Sequence, residues 1–263
     1  MLRKLLKYDI KSIFKYLIIF YILAFIFALG TRIFSSIDNS FVFEIVAKVF
    51  SGATIAMIFN IFINCTIRLW VLFKQNLYGD QSYLTHTLPV SKKDLYTSKF
   101  INGLLAIFIS FIFILLIIFI AYYSKERLDW LKNLIVPIEN LLDSSIVLII
   151  LAFVFIFFLE IFNMIQAGFT GIIFGHKMNN NKLVFSLVFG FVAYSITQTI
   201  SVLLLFLYGL INKDVMNLFI TSDTVNIDAI KTIIWLSIII YFICVVILYF
   251  VNTKLLKQGV NVE

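Results

Sequence analysis

The chain has 263 residues, of which 62% are hydrophobic, 17% aromatic and only 13% charged, with a formal net charge of +7 and a mean hydropathy of +1.05. A soluble domain runs near about 45–50% apolar and about 25% charged, so a water-soluble globular protein is excluded. The apolar excess is gathered into six runs, each long enough to cross a hydrocarbon core of about 30 Å, which takes roughly 20 helical residues.

The first fifteen residues carry Arg3, Lys4, Lys7, Lys11 and Lys15. Leu2, Leu6, Ile10, Ile13, Phe14 and Leu17 follow helical spacing, with the lysines mostly off that stripe. The pattern predicts an amphipathic helix over 1–15, lying on the inner leaflet and feeding an uncleaved first span; a plain snorkelling flank is the alternative. A cleaved signal peptide, suggested by Ala28-Leu29-Gly30, does not account for that stripe. The spans are expected over 16–34, 45–73, 100–123, 145–174, 183–211 and 230–251. None alternates with period two, and in hydrocarbon every backbone polar group must be paired within its own element, so all six are helices. The fold class is therefore all-α and polytopic, with a cytosolic tail over 252–263.

Charge sets the orientation. With the N-terminus inside, the inner segments hold fourteen of the 21 basic residues: Arg3, Lys4, Lys7, Lys11, Lys15, Arg68, Lys74, Lys92, Lys93, Lys99, Lys177, Lys182, Lys254 and Lys257. The outer segments hold nine of the 14 acidic ones, from Asp38 to Asp228. Lys/Arg excess marks the cytoplasmic side, which puts both termini in the cytosol of a multi-pass protein. The basic charge is expected to meet lipid headgroups of the bilayer and not nucleic acid.

Several chemistries find no residues to carry them. Cys65 and Cys244 fall inside spans and read as packed apolar residues. His86 and His176 lie in different cytosolic loops with no partner at metal-ligand spacing, so no metal site is expected. Gly175-His176-Lys177 is followed by Met178, and no phosphate-cradling glycine loop is present. No metalloprotease or serine-hydrolase motif appears either. The chain is not expected to be an enzyme or to bind a cofactor.

The loop over 74–99 is the longest cytosolic connection. Gly79-Asp80 is a turn signal, and Pro89 holds Leu88 extended. Ser91 fits a helix N-cap with Asp94 three residues on, so a helix is expected from about Lys92 into the third span. Tyr83, Leu84 and Leu88 are apolar residues in a segment of a length usually richer in Gly and Pro, which suggests a docking element.

Within the spans, polar residues recur at helical spacing: Asn60, Asn64 and Arg68 in the second, Glu160, Asn163, Ala167 and Thr170 in the fourth, and Tyr194, Gln198 and Ser201 in the fifth. A charge inside a span is costly and tends to face a cavity or a partner, which makes Glu160 the sharpest single candidate. Asn60, Asn64, Glu160, Asn163 and Gln198 are candidates for lining a translocation path; interhelical hydrogen bonding that fixes packing is the alternative. Arg68 is expected to reach the headgroups. Gly171-x-x-x-Gly175 would permit close helix contact.

The stretch Gly79-Asp80-Gln81-Ser82-Tyr83-Leu84-Thr85-His86-Thr87-Leu88-Pro89-Val90-Ser91-Lys92-Lys93 resembles the (D/G)-x-x-x-Y-L-T-x-T-L-P-V-S-(K/R)-(K/R) segment of small bacterial ABC-2 type transporter permeases. The opening Met1-Leu2-Arg3-Lys4-Leu5-Leu6-Lys7-Tyr8-Asp9 is similar to that family's N-terminal surface helix. The resemblance implies a six-span permease of a bacterial cell-membrane exporter. It would pair with a second permease copy or paralogue and with a separate ATP-binding cassette subunit that uses ATP and Mg. It also implies a coupling helix after span two, carried here over 83–96 by Tyr83, Leu84, Leu88, Pro89, Ser91, Lys92, Lys93 and Asp94, with 175–182 as a second contact. The short external loops depart from relatives that carry a large extracellular sensor. Substrates in the family run from antimicrobial peptides to lipids and drugs. A non-transporting immunity or signalling scaffold is the rival reading, and an ion-coupled transporter, lacking broken helices or a visible repeat, ranks last.

Overall fold

The computed structural model describes residues 2–37, 41–142, 146–220 and 227–258, and among these every regular element is a helix. Six are long: α1 (Leu2–Phe34), α2 (Phe41–Leu77), α4 (Lys92–Tyr122), α6 (Ile146–Gly175), α7 (Lys182–Ile211) and α9 (Ile227–Lys257). Three are connecting helices: α3 (Ser82–Thr87), α5 (Lys125–Leu142) and α8 (Lys213–Ile220). The six long helices have the length and apolarity to cross a membrane, and the chain is a multi-pass all-α membrane protein. At about 1.5 Å per residue each is longer than the hydrocarbon core is thick.

Two features differ from the sequence reading. The surface helix expected over 1–15 and the first span are one unbroken helix, α1. Ile13 and Leu17, from the predicted membrane-facing stripe, are fully buried in protein instead. The external connections read as loops over 122–144 and 212–229 contain α5 and α8, both amphipathic over lengths too short or too polar to cross a membrane.

The chain divides into two compact units, Met1–Asn76 with Thr87–Leu131, and Leu77–His86 with Lys132–Glu263. In the first unit α1 packs along α4. The buried stripe Ile13, Leu17, Tyr21, Ala24, Ala28 and Thr31 recurs every three or four residues, which puts it on one helix face. Gly103, Ala106, Ser110 and Ala121 are among the buried residues of α4. Small side chains at such seams let helices approach closely where lipid offers no hydrophobic driving force between them. Tyr21 and Ser110 share a hydrogen bond across the seam at 2.8 Å.

In the second unit α6 is the central element, packed against both α7 and α9. A Cβ at Gly171 would collide with the backbone of Ser186 and Gly190, and one at Gly175 with Ser186. The G-x-x-x-G spacing therefore sits at the closest α6–α7 approach. The outward faces of the long helices remain apolar, with Ile63, Leu116, Phe191, Leu203 and Phe250 all exposed, as a lipid-facing surface requires.

Candidate functional site

Three arrangements collect the polar side chains; the second and third each lie within one unit, and the first is divided between the two. The first is the connection between α2 and α4. After α2 ends at Leu77, Ser82 N–H donates to the Gly79 carbonyl at 2.8 Å and Thr85 N–H to Gln81 at 3.0 Å, closing the turn that Gly79-Asp80 signals and opening α3. This segment is anchored in the second unit. Tyr78 is 1% exposed and its ring stacks on His176 with centroids 4.3 Å apart. Burial pushes the Tyr78 hydroxyl above its ordinary pKa. His86 Nε2 hydrogen bonds with the Leu77 carbonyl at 3.1 Å, and Ser82 is fully buried. His176 in turn caps the end of α6: its backbone N–H and its Nδ1 both reach the Ile172 carbonyl, at 3.1 and 2.8 Å. The structure thus brings together two loops that lie about ninety residues apart in the sequence.

While Tyr78, Ser82 and His86 turn inward, Tyr83 and Leu84 remain 65% and 74% exposed. Tyr83 and Leu84 thus form an outward-facing apolar pair on an anchored helix. The remaining residues of the predicted coupling segment, Leu88, Pro89, Ser91, Lys92, Lys93 and Asp94, belong to the first unit. There Asp94 N–H donates to Ser91 Oγ at 3.1 Å, and the Ser91 hydroxyl donates to the Asp94 carboxylate at 2.7 Å. α4 starts at Lys92, where this cap sets it.

The second arrangement lies at the start of α4 in the first unit. Asp9 and Lys99 are each 6% exposed and pair at 2.6 Å. Asn102 Nδ2 and the Ser98 hydroxyl also donate to Asp9 Oδ2, at 3.2 and 3.4 Å, and Asn76 Nδ2 donates to Oδ1 at 3.0 Å. Asp9 therefore ties α1, α2 and α4 together. The neighbouring α1–α2 seam is polar as well. Tyr16 hydroxyl donates to Asn64 Oδ1 at 2.9 Å, and Asn64 Nδ2 donates to Asn60. Arg68, expected at the headgroups, turns to α1, where it donates to Ser12 Oγ at 2.8 Å and lies over the Tyr16 ring.

The third arrangement is in the second unit. Glu160 lies fourteen residues from the start of α6 and fifteen from its end, at mid-span. Its Oε1 accepts from the Tyr194 hydroxyl at 2.5 Å and from Gln198 Nε2 at 2.8 Å; the Tyr241 hydroxyl donates to Gln198 Oε1 at 2.9 Å. One carboxylate thus links α6, α7 and α9. The seam continues along α6: Asn163 Nδ2 donates to Thr197 Oγ1 at 2.9 Å, Gln166 Nε2 to the Val245 carbonyl at 2.9 Å, and Thr170 to Asn252 Oδ1 at 2.7 Å. Asn163, Gln166 and Asn252 are fully buried, which suits helix pairing. Glu160 stands apart, because a charge at a helix centre costs about 2.5–3.5 kcal/mol on insertion scales.

Of the sequence candidates, Glu160 and Gln198 come together, Asn163 lies one turn along the same seam, and Asn60 and Asn64 pair with each other in the other unit. Asp9, Lys99, Asn102, Tyr78 and Tyr241 escaped the sequence reading. For Asp9 a signal was present, since it is the lone acid among five basic residues. Among the described residues no group of three or more His, Cys, Asp or Glu side chains could hold a metal ion. Both cysteines are buried and free. No protein-family model, curated protein or solved structure matches the chain.

Proposed function

We propose that this chain is the membrane-spanning permease subunit of an ATP-binding cassette exporter of the bacterial cell membrane. Both termini would be cytosolic, and ATP hydrolysis would belong to a separate subunit that binds ATP and Mg. The observation that carries the reading is α3. Its sequence is the stretch that resembles the coupling segment of ABC-2 permeases. Its apolar pair, Tyr83 and Leu84, is exposed, while the turn that leads into it is fastened to the loop after α6 through Tyr78 and His176.

This arrangement supports a mechanical role. A partner ATPase that grips Tyr83 and Leu84 moves α3 when nucleotide binding closes it. The stacked Tyr78–His176 pair passes that movement to the C-terminal end of α6, whose hydrogen-bonded seam with α7 and α9 then shifts as one body. Two permease copies, or this chain with a paralogue, would enclose the path.

The test is purification from native membranes in mild detergent. The expected result is an ATP-hydrolysing subunit that accompanies the wild-type chain and is lost from the Leu84→Asp and Leu88→Asp variants, with the fold intact by thermal unfolding. A wild-type protein that moves its substrate in vesicles with no ATPase bound and none required would overturn the proposal.

A further inference from the structure

The Glu160 carboxylate has no counterion on the helices that surround it. α6 contains no Lys or Arg, α7 has one at its first residue, Lys182, and the basic residues of α9 are Lys231, Lys254 and Lys257. Lys231 lies ten residues and Lys254 thirteen residues from Tyr241 along α9, a rise of about 15–20 Å. The titratable groups that do face Glu160 are all neutral in type: Tyr194 on α7, and Tyr241 and Cys244 on α9. Oε1 receives two donors, whereas Oε2 is buried and receives none. The Tyr241 hydroxyl also lies within hydrogen-bonding reach of the carboxylate, so the donors that meet Glu160 are all uncharged.

Next to the cluster is a groove of about 300 Å³ lined by side chains of all three helices, among them Phe174, Phe189, Ile196, Ile200, Ile247 and Leu248. It is apolar except at Thr170, Thr197 and Cys244; Glu160, Tyr194, Gln198 and Tyr241 lie behind its wall, and Thr197 and Cys244 adjoin them. Thr197 precedes Gln198 and holds Asn163, and Cys244 is one turn along α9 from Tyr241. Ile196, Ile200 and Ile247 are each about half exposed on the outer surface, so the groove opens toward the bilayer.

We infer that this groove and the Glu160 cluster form one binding site for an amphipathic amine: a single alkyl chain in the groove and a protonated amino group reaching past Cys244 to the Glu160 carboxylate. An ammonium supplies what the carboxylate lacks, a positive charge, on an N–H that can donate to it. Its apolar chain matches a cleft that opens to lipid and not to water. As a substrate site this rests on the export reading above; as a binding site it does not.

Equilibrium binding separates the two. The whole protein in phosphatidylcholine nanodiscs is titrated with radiolabelled dodecylamine, with dodecanol and dodecyl sulfate as competitors. The expected result is saturable binding that dodecanol and dodecyl sulfate displace poorly. Glu160→Gln, which can still accept from Tyr194 and Gln198, should bind about tenfold more weakly or worse. Cys244→Trp, which fills the groove, should weaken binding with Glu160 intact. Equal competition by dodecanol, or unchanged affinity in Glu160→Gln, would overturn the inference. The competition uses wild-type protein and so does not depend on any variant folding. Saturable amine binding in a protein that brings down no ATPase would leave this site standing and sink the export reading alone.

Discussion

Each unit holds a carboxylate where three helices meet, Asp9 buried and Glu160 partly buried, and the two are treated differently. In the first, Asp9 faces Lys99 at 2.6 Å and collects donors from Asn76, Ser98 and Asn102. Charge and hydrogen bonds are supplied from within, and the arrangement is closed. In the second, Glu160 meets a phenol and a carboxamide, and one of its oxygens has no donor. A buried charge with its counterion fixes geometry; a partly buried charge without one is poised to take a charge from outside. The contrast assigns a structural role to the first cluster and a binding role to the second.

The largest effect should come from breaking the closed arrangement. Asp9→Ala leaves the Lys99 ammonium buried and unpaired, and loss of one partner of a buried pair costs about 3–5 kcal/mol. Unfolding in mixed micelles should show that loss, and the double variant Asp9→Leu with Lys99→Met should recover most of it. A single variant as stable as wild type would mean that the pair does not form. Next comes the scaffold of the second cluster. Gly171→Leu drives a side chain into the α7 backbone, and overpacking of this kind costs about 1–3 kcal/mol. Gly52, with no atom near the position of a Cβ, is the control: Gly52→Ala should be neutral or stabilising. Ser91→Ala removes the cap of α4 and should cost about 1 kcal/mol. The smallest effect is expected for Glu160→Gln. It keeps both accepted hydrogen bonds while removing an uncompensated charge, so stability should change by less than about 1 kcal/mol or rise. A loss as large as that of Asp9→Ala would erase the distinction between the two clusters.

What the sequence discloses and what it withholds divides along the same physical line. Interactions local in the chain were legible. Ser91 and Asp94 mark the start of α4 because an N-cap is settled within four residues. The Glu160, Asn163, Thr170 face of α6 follows from a period of 3.6, and Gly171-x-x-x-Gly175 identified a close helix approach. Interactions that depend on tertiary pairing were not. Asp9 and Lys99 are ninety residues apart, and neither residue points to the other. Tyr78 reads as loop until His176 is brought beside it. No break marks residue 15, where α1 runs on into the first span. The stripe from Ile13 to Leu17 is equally suited to a bilayer surface and to a protein neighbour, and the neighbour wins. Amphipathic α5 and α8 carry no apolar run long enough to span a bilayer, so apolar length alone does not reveal them.

The most direct test of the central claim, that this is a gate driven from outside through α3, is a photo-crosslinker placed at Leu84 in cells, with the captured protein identified by mass spectrometry. The account predicts that the adduct is a nucleotide-hydrolysing ATPase subunit and that the crosslink yield changes when ATP is trapped in it. An adduct only to proteins that bind no nucleotide, or no adduct while the protein remains active, would contradict it.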